Sequence, residues 1–118
     1  MPTTKSAIQY KKGKLSKKIL LELYEQLLRP RMIEEKMLIL LRSGKISKWF
    51  SGIGQEAISV GATAALDHDE LMFPMHRNLA VFTSRNIPLK RLFCQWQGKE
   101  PGFTKGRDRS FHFGTMEY

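Results

Sequence analysis

The sequence predicts an α/β fold that is mostly helical, with one short strand and a long loop rich in glycine and basic residues. Three observations predict it. Apolar residues recur at helical spacing over two long stretches, a brief apolar run ends at Pro74, and glycines and basic residues accumulate after Gln97. We divide the 118 residues into a flexible basic arm, 1–15, and one truncated domain, 16–118, whose size allows a single core.

The first helix is predicted to begin at Ser16, because a serine hydroxyl readily caps a helix N-terminus. Pro30 lacks a backbone donor, so we expect the helix to kink or restart there. Gly44 supplies a natural C-terminal stop. The paired acids of this helix, Glu34 and Glu35, are expected to face outward or toward a partner.

Four more elements follow in chain order. A second helix is predicted over 54–66, where small residues allow close backbone approach to a neighbour. Residues 71–73 are the predicted short, buried strand, which Pro74 ends. A third helix is predicted over 78–84, and a fourth over 88–96 with Pro88 at its first position.

The composition, 42% hydrophobic and 26% charged, is ordinary for a globular protein and excludes fibrous and disordered classes. No apolar stretch approaches the ~20 residues of a membrane span. The first 18 residues hold six lysines and no arginine, which disfavours a mitochondrial presequence. The single cysteine, Cys94, cannot form an internal disulfide. We therefore expect a cytoplasmic protein and consider the mitochondrial matrix less favoured.

The net charge of +9 indicates an anionic partner without identifying it. The basic stretches lack spaced aromatic platforms, and no zinc-finger or RNA-recognition pattern is present. A small basic nucleic-acid-binding protein therefore remains only as the alternative from another functional class.

Three clusters carry candidate chemistry. Glycines in 49–57 allow close approach to a ligand ahead of a helix N-terminus, or serve only the turn. In 74–78, Arg77 suits a phosphate or carboxylate, or caps nearby carbonyls, and His76 beside it is by itself an ordinary packed or solvated histidine. The basic loop 105–114 could clamp an anion or lie free in solvent. Without metal-ligand spacing, a Walker motif or a nucleophile elbow, the residues alone predict an anion-binding α/β segment.

Together these clusters resemble the alpha subunit of the decarboxylating component of 2-oxo acid dehydrogenase complexes. The resemblance covers roughly residues 20–114. It rests on the arginine-then-paired-acid helix 27–36, on Gly54-Gln55-Glu56-Ala57, on Arg77, and on Lys105-Gly106-Arg107 with His112. It implies the N-terminal, mostly helical portion of a thiamine-diphosphate-binding fold.

The resemblance also implies residue roles. His76 and Arg77 would bind the cofactor diphosphate, with His76 standing where the family has tyrosine. Phe50 would lie beside the substrate, where an apolar ring suits a branched aliphatic 2-oxo acid better than pyruvate. Ser110 and His112 would belong to an active-site loop. No catalytic residue and no metal ligand is expected within this segment.

The implied reaction is oxidative decarboxylation of branched-chain 2-oxo acids, such as 3-methyl-2-oxobutanoate, with acyl transfer to a lipoyl carrier. Pyruvate or acetoin dehydrogenase is the alternative within the class. The implied cofactors are thiamine diphosphate and Mg²⁺, whose ligands are expected beyond Tyr118. The implied partners are a beta subunit or beta domain, a lipoyl-bearing acyltransferase and a small 2-oxo acid, with no membrane. We expect the 118-residue chain alone to be inactive.

Overall fold

The computed structural model describes residues 11–118, so the first ten residues of the predicted basic arm lie outside the described residues. Four helices occur in the described part: α1 over Lys17–Arg42, α2 over Glu56–Ala65, α3 over Leu79–Ser84 and α4 over Leu89–Trp96. The mostly helical character agrees with the prediction. Pro88 is the N-cap of α4, one position before the place expected for it. None of these helices is long and apolar enough to cross a membrane.

Helix α1 begins and ends at the predicted signals. Ser16 Oγ accepts a hydrogen bond from the Ile19 amide at 3.2 Å. After Arg42 the chain turns through Gly44, whose φ of +70° lies in the left-handed region that glycine adopts without strain. The helix runs through Pro30 as one element, so the expected restart is absent. Pro30 is buried, and its packing offsets the single backbone hydrogen bond that proline removes.

The predicted strand over 71–73 is wrong. No strand occurs among residues 11–118, and Leu71 and Phe73 are 63% and 94% exposed rather than buried. A strand needs a neighbour to complete its ladder, and the described residues offer none. The turn before this segment is held instead by Arg85, whose guanidinium donates to the carbonyl oxygens of His68 at 2.7 Å and Glu70 at 3.0 Å.

The core lies between α1, α3 and α4 and is closed by the segment after α4. Met37 and Leu92 are fully buried, and Trp96 is 1% exposed. Phe111 stacks on Phe82 with ring centroids 4.7 Å apart, and Trp49 meets the edge of Trp96 at 5.0 Å. Each such buried side chain contributes about 1.5–3 kcal/mol. This aromatic packing holds the 105–114 loop against residues 49–52, the connector that precedes α2.

Candidate functional site

Three residues from the three sequence clusters meet in space. The Phe50 and His76 rings lie 4.6 Å apart between centroids, and the His76 and His112 rings lie 5.5 Å apart. We call Phe50, His76 and His112 the Phe–His cluster. It joins a connector, a turn and a loop that are far apart in the chain.

A shallow depression beside the Phe–His cluster combines apolar rings with cationic groups. Lys48 Nζ lies 4.9 Å from the centroid of the Phe50 ring. The remaining lining residues are Trp49, His76, Trp96, Arg109, Ser110 and Phe111. At about 10 Å³ the depression has room for no more than a water molecule, so it is not itself a ligand pocket.

The loop residues Ser110 and His112 are joined by a hydrogen bond, and Asp108 organises both. Ser110 Oγ lies 2.6 Å from His112 Nδ1 and 2.8 Å from Asp108 Oδ1. The hydrogen bond from Ser110 lowers the pKa of Asp108, which therefore acts as an acceptor. The arrangement is satisfied when Ser110 donates to Asp108 and His112 Nδ1–H donates to Ser110. In this tautomer of the neutral ring, His112 Nε2 is an acceptor without a hydrogen-bond partner among residues 11–118.

Gln95 of α4 fixes the position of this loop. Its side chain is 1% exposed, and its Nε2 donates to the carbonyls of Asp108 at 2.9 Å and Ser110 at 3.0 Å. Its Oε1 accepts from the amide and the hydroxyl of Thr104 at 3.0 and 3.1 Å. The amide is therefore fully used within the protein. This role of Gln95 could not be predicted from the sequence, because a glutamine on an amphipathic helix is usually exposed.

Arg77 is exposed, and within residues 11–118 its guanidinium has no hydrogen-bond or ion-pair partner. The alternative of an arginine that caps nearby carbonyls therefore finds no support in these residues. The preceding turn is closed by Asn78 Oδ1, which accepts from the Met75 amide at 2.8 Å. Arg77 therefore projects from a fixed turn with its donors available.

Glu34 is buried, so the expectation that it faces outward is wrong, whereas Glu35 is exposed. Glu34 Oε2 accepts from Trp49 Nε1 and from Ser51 Oγ, both at 2.9 Å, and Glu34 Oε1 accepts from the Gly52 amide at 2.8 Å. Burial raises the pKa of Glu34 above its ordinary value, and the three hydrogen bonds, which act in the opposite direction, offset only part of this effect. The carboxylate holds the connector against α1.

Glu56 secures the turn between the connector and α2. Arg31 Nε donates to Glu56 Oε1 at 2.7 Å, and the Gly54 amide donates to Glu56 Oε2 at 2.9 Å. The hydrogen bond from Arg31 lowers the pKa of Glu56. The predicted helix start at Gly54-Gln55-Glu56-Ala57 is thus tied to α1 by an ion pair that the sequence did not reveal.

Metal binding has no visible basis in this part of the chain. Among residues 11–118, no group of three or more His, Cys, Asp or Glu side chains is placed to hold a metal ion.

The sequence profile of the dehydrogenase E1 component family matches residues 24–117. The chain is 31% identical over 103 residues to the mitochondrial 2-oxoisovalerate dehydrogenase subunit alpha of Homo sapiens, covering 87% of this chain and 23% of that protein. It is 30% identical to the same subunit of Pseudomonas aeruginosa, over 87% of this chain and 25% of that one. To the mitochondrial 2-oxoisovalerate dehydrogenase subunit alpha 1 of Arabidopsis thaliana the identity is 29%, over 86% of this chain and 21% of that protein.

The chain thus spans about a quarter or less of the length of these relatives. The matched region includes α1 from Tyr24 onward, the connector, all three shorter helices and the loop that carries Ser110 and His112. The family suggested by the arginine-then-paired-acid helix and the Gly-Gln-Glu-Ala helix start is confirmed. The chain belongs to the dehydrogenase E1 component family.

Proposed function

We propose that this chain is a segment of the alpha subunit of a branched-chain 2-oxo acid dehydrogenase. The complete enzyme would decarboxylate acids such as 3-methyl-2-oxobutanoate and pass the acyl group to a lipoyl carrier. The observation that carries the substrate choice is the contact between Phe50 and His76, with ring centroids 4.6 Å apart. It sets an apolar ring directly beside the residue proposed to bind the cofactor. The relatives named 2-oxoisovalerate dehydrogenase subunit alpha support the same choice.

The proposed cofactor is thiamine diphosphate, and the residues present fit its anionic end. Arg77 offers a guanidinium without a protein partner among residues 11–118, and such a group can donate two parallel hydrogen bonds to a phosphate. His76 adds a second donor beside it. When bound, thiamine diphosphate supplies the carbanion chemistry of decarboxylation. For Mg²⁺, which the same proposal includes, we expect ligands outside residues 11–118.

The substrate would lie between an apolar and a polar wall. Phe50 excludes water from a branched acyl chain and offers no hydrogen bond to a smaller polar substrate. On the other side, Ser110 and His112 form a hydrogen-bonded pair that Asp108 orients. His112 Nε2 and the nearby cations would contact the polar end of the substrate.

The proposed partners are a beta subunit or beta domain and a lipoyl-bearing acyltransferase, since 2-oxo acid dehydrogenases act within a complex. We propose a cytoplasmic location, a reducing compartment in which the single cysteine, Cys94, would stay a free thiol. The mitochondrial matrix, which the names of the human and Arabidopsis relatives give for those proteins, is the alternative.

A steady-state comparison tests the function. An alpha subunit that contains this segment, assembled with its beta partner, should show a higher kcat/KM for 3-methyl-2-oxobutanoate than for pyruvate. The opposite order would transfer the proposal to pyruvate dehydrogenase. A titration with RNA and with duplex DNA at two salt concentrations tests the nucleic-acid alternative, which requires tight binding that weakens steeply with salt.

A further inference from the structure

Glu34 is the most deeply buried ionisable side chain among residues 11–118, at 1% exposed. A carboxylate taken out of water is costly unless hydrogen bonds replace its hydration. Glu34 has three such bonds, and all three donors belong to the four-residue connector 49–52. General stability would be served equally well by an apolar side chain at this place. The set of donors points to a more specific role.

The connector carries two features of the proposed site. Phe50 lies between Trp49 and Ser51, both of which donate to Glu34 Oε2 at 2.9 Å. Gly52 donates to Oε1 and packs against the backbone carbonyl of Arg77 so closely that no Cβ atom would fit there. Glu34 therefore fixes the chain on both sides of Phe50 and presses it toward the turn that bears His76 and Arg77.

We propose that Glu34 is a positioning residue, which sets the placement of Phe50 against His76 and of the connector against Arg77. Through these contacts it would control the preference for branched substrates and the affinity for the cofactor diphosphate. The inference rests on the proposed function for these consequences, whereas the placement itself is a property of this chain.

The chemistry of the carboxylate explains why glutamine cannot replace it. Both oxygens of an ionised carboxylate accept, and the three groups around Glu34 all donate. In Glu34→Gln one oxygen becomes an NH₂ group, which must face either the Gly52 amide or the Trp49 and Ser51 donors. Two donors then meet, and the connector shifts on one side of Phe50. Glu34→Asp keeps two accepting oxygens on a shorter side chain and should restore part of the placement.

The placement can be measured on the chain itself by NMR, because the sequence holds only three histidines. In the wild type the Phe50 ring, 4.6 Å away, should shift the ring-proton resonances of His76, and Phe50→Leu would identify this effect. We expect Glu34→Gln to move the His76 resonances in the same direction as Phe50→Leu and to leave those of His68 unchanged. Glu35→Gln, an exposed neighbour on the same helix, is the control and should move neither. A folded Glu34→Gln chain with unmoved His76 resonances would overturn the proposal.

Should Glu34→Gln prove too unstable to measure, Ser51→Ala removes one donor and leaves the carboxylate in place. Ser51→Ala should move the His76 resonances by a smaller amount in the same direction. Unchanged His76 resonances in Ser51→Ala, together with wild-type resonances in folded Glu34→Asp, would also overturn the proposal.

The functional consequence is measured in the assembled enzyme. Glu34→Gln should lower the ratio of kcat/KM for 3-methyl-2-oxobutanoate over pyruvate and raise the dissociation constant of thiamine diphosphate, each by about threefold or more. For Glu34→Asp, both quantities should lie between those of the wild type and Glu34→Gln. If Arg77→Ala weakens cofactor binding while Glu34→Gln changes neither quantity, positioning fails and the proposed function stands. If Arg77→Ala also leaves binding unchanged, the proposed cofactor role itself fails.

Discussion

Gly52 lies so close to the carbonyl oxygen of Arg77 that a Cβ atom at position 52 would overlap it. The requirement here is space, since the backbone of Gly52 has no positive φ. Two residues later, Gly54 meets the opposite requirement, with a φ of +91° and open space around its Cα. The two glycines ahead of α2 thus have different functions, and the first joins the connector to the turn of Arg77.

Gly52→Ala should destabilise the chain by about 1–3 kcal/mol, because the new methyl group forces either the connector or the Arg77 turn to move. Gly61→Ala is the matched control. Gly61 lies inside α2, and a Cβ atom there meets nothing within 4 Å, so alanine should stabilise the helix by about 0.5–1 kcal/mol. Urea unfolding of both variants measures the difference. Equal stabilities for Gly52→Ala and the wild type would show that the close approach carries no energetic weight.

Local signals were sufficient to predict the helices. Ser16 and Gly44 bracket α1 because a hydroxyl cap and a left-handed glycine act on the adjacent backbone, and both are visible in the sequence. The strand over 71–73 was wrong because an apolar run specifies burial only if a partner strand exists. That partner is a property of the fold and does not lie among residues 11–118.

The site was predictable only as three separate clusters. The sequence placed Phe50, His76 and His112 in different elements, and their contacts depend on the packing of the aromatic core. Glu34 was assigned to the outside because a charged residue is rarely buried, and its donors lie 15 to 18 positions later in the chain. Gln95 was missed because a glutamine on an amphipathic helix is usually exposed. Long-range hydrogen bonds of this kind leave no periodic trace.

Arg77→Ala in the assembled enzyme should weaken thiamine diphosphate binding by about tenfold or more, since a hydrogen bond to a charged group is worth ~1.5–3 kcal/mol. The stability of the protein should change little, because the guanidinium has no partner among residues 11–118. Arg29→Ala, at an exposed position of α1, is the control and should leave the dissociation constant unchanged. An Arg77→Ala enzyme with wild-type affinity, measured by calorimetry, would remove Arg77 from the diphosphate site.

Gln95→Ala should destabilise the chain by about 1–3 kcal/mol, because it leaves the buried carbonyl of Ser110 without its donor, whereas the carbonyl of Asp108 keeps Thr104 Oγ1 at 3.0 Å. Gln97→Ala, just beyond the end of α4, should change the stability by less than about 0.5 kcal/mol. Thermal unfolding compares the two. If the two variants have the same melting temperature, the four hydrogen bonds of Gln95 do not hold the 105–114 loop.

The stability of the chain should depend on pH through Glu34 with an unusual sign. Burial raises the pKa of Glu34 above its ordinary value of 4.5, so just above pH 4.5 the folded chain retains a proton that the unfolded chain has released. Stability then falls as the pH rises through this window. Glu34→Gln lacks this proton, so the difference in unfolding free energy, wild type minus variant, should decrease with rising pH.

Glu56 is the control for this pH dependence, because the hydrogen bond from Arg31 lowers its pKa. Its contribution is complete above pH 4.5 and is lost as the pH falls through the lowered pKa. The difference between wild type and Glu56→Gln should therefore stay constant above pH 4.5 and shrink below it. Urea unfolding at a series of pH values distinguishes the two carboxylates. A wild-type advantage over Glu34→Gln that grows with pH would contradict the buried, costly carboxylate.

Phe50→His should shift substrate preference toward pyruvate in the assembled enzyme. The Phe50 ring packs edge-on against His76 at 4.6 Å and is half-buried, so part of its surface is free to contact a ligand. Losing the apolar contact of one or two methylenes of a branched acyl chain costs ~1–3 kcal/mol, or about 10- to 200-fold in kcat/KM. Phe50→Leu keeps an apolar side chain and should retain the preference for 3-methyl-2-oxobutanoate.

The competing interpretation is that Phe50, like its neighbour Trp49, only fills the junction between α1 and α2. Trp49 meets Trp96 and Phe111 at 5.0 and 6.0 Å and clearly belongs to the core. Phe50 contacts the His76 ring and the ammonium group of Lys48 instead, and this environment is typical of a residue at the edge of a site. A Phe50→His enzyme that melts several degrees earlier but keeps its ratio of catalytic efficiencies would assign Phe50 to the core. A changed ratio at an unchanged melting temperature would place the ring beside the substrate.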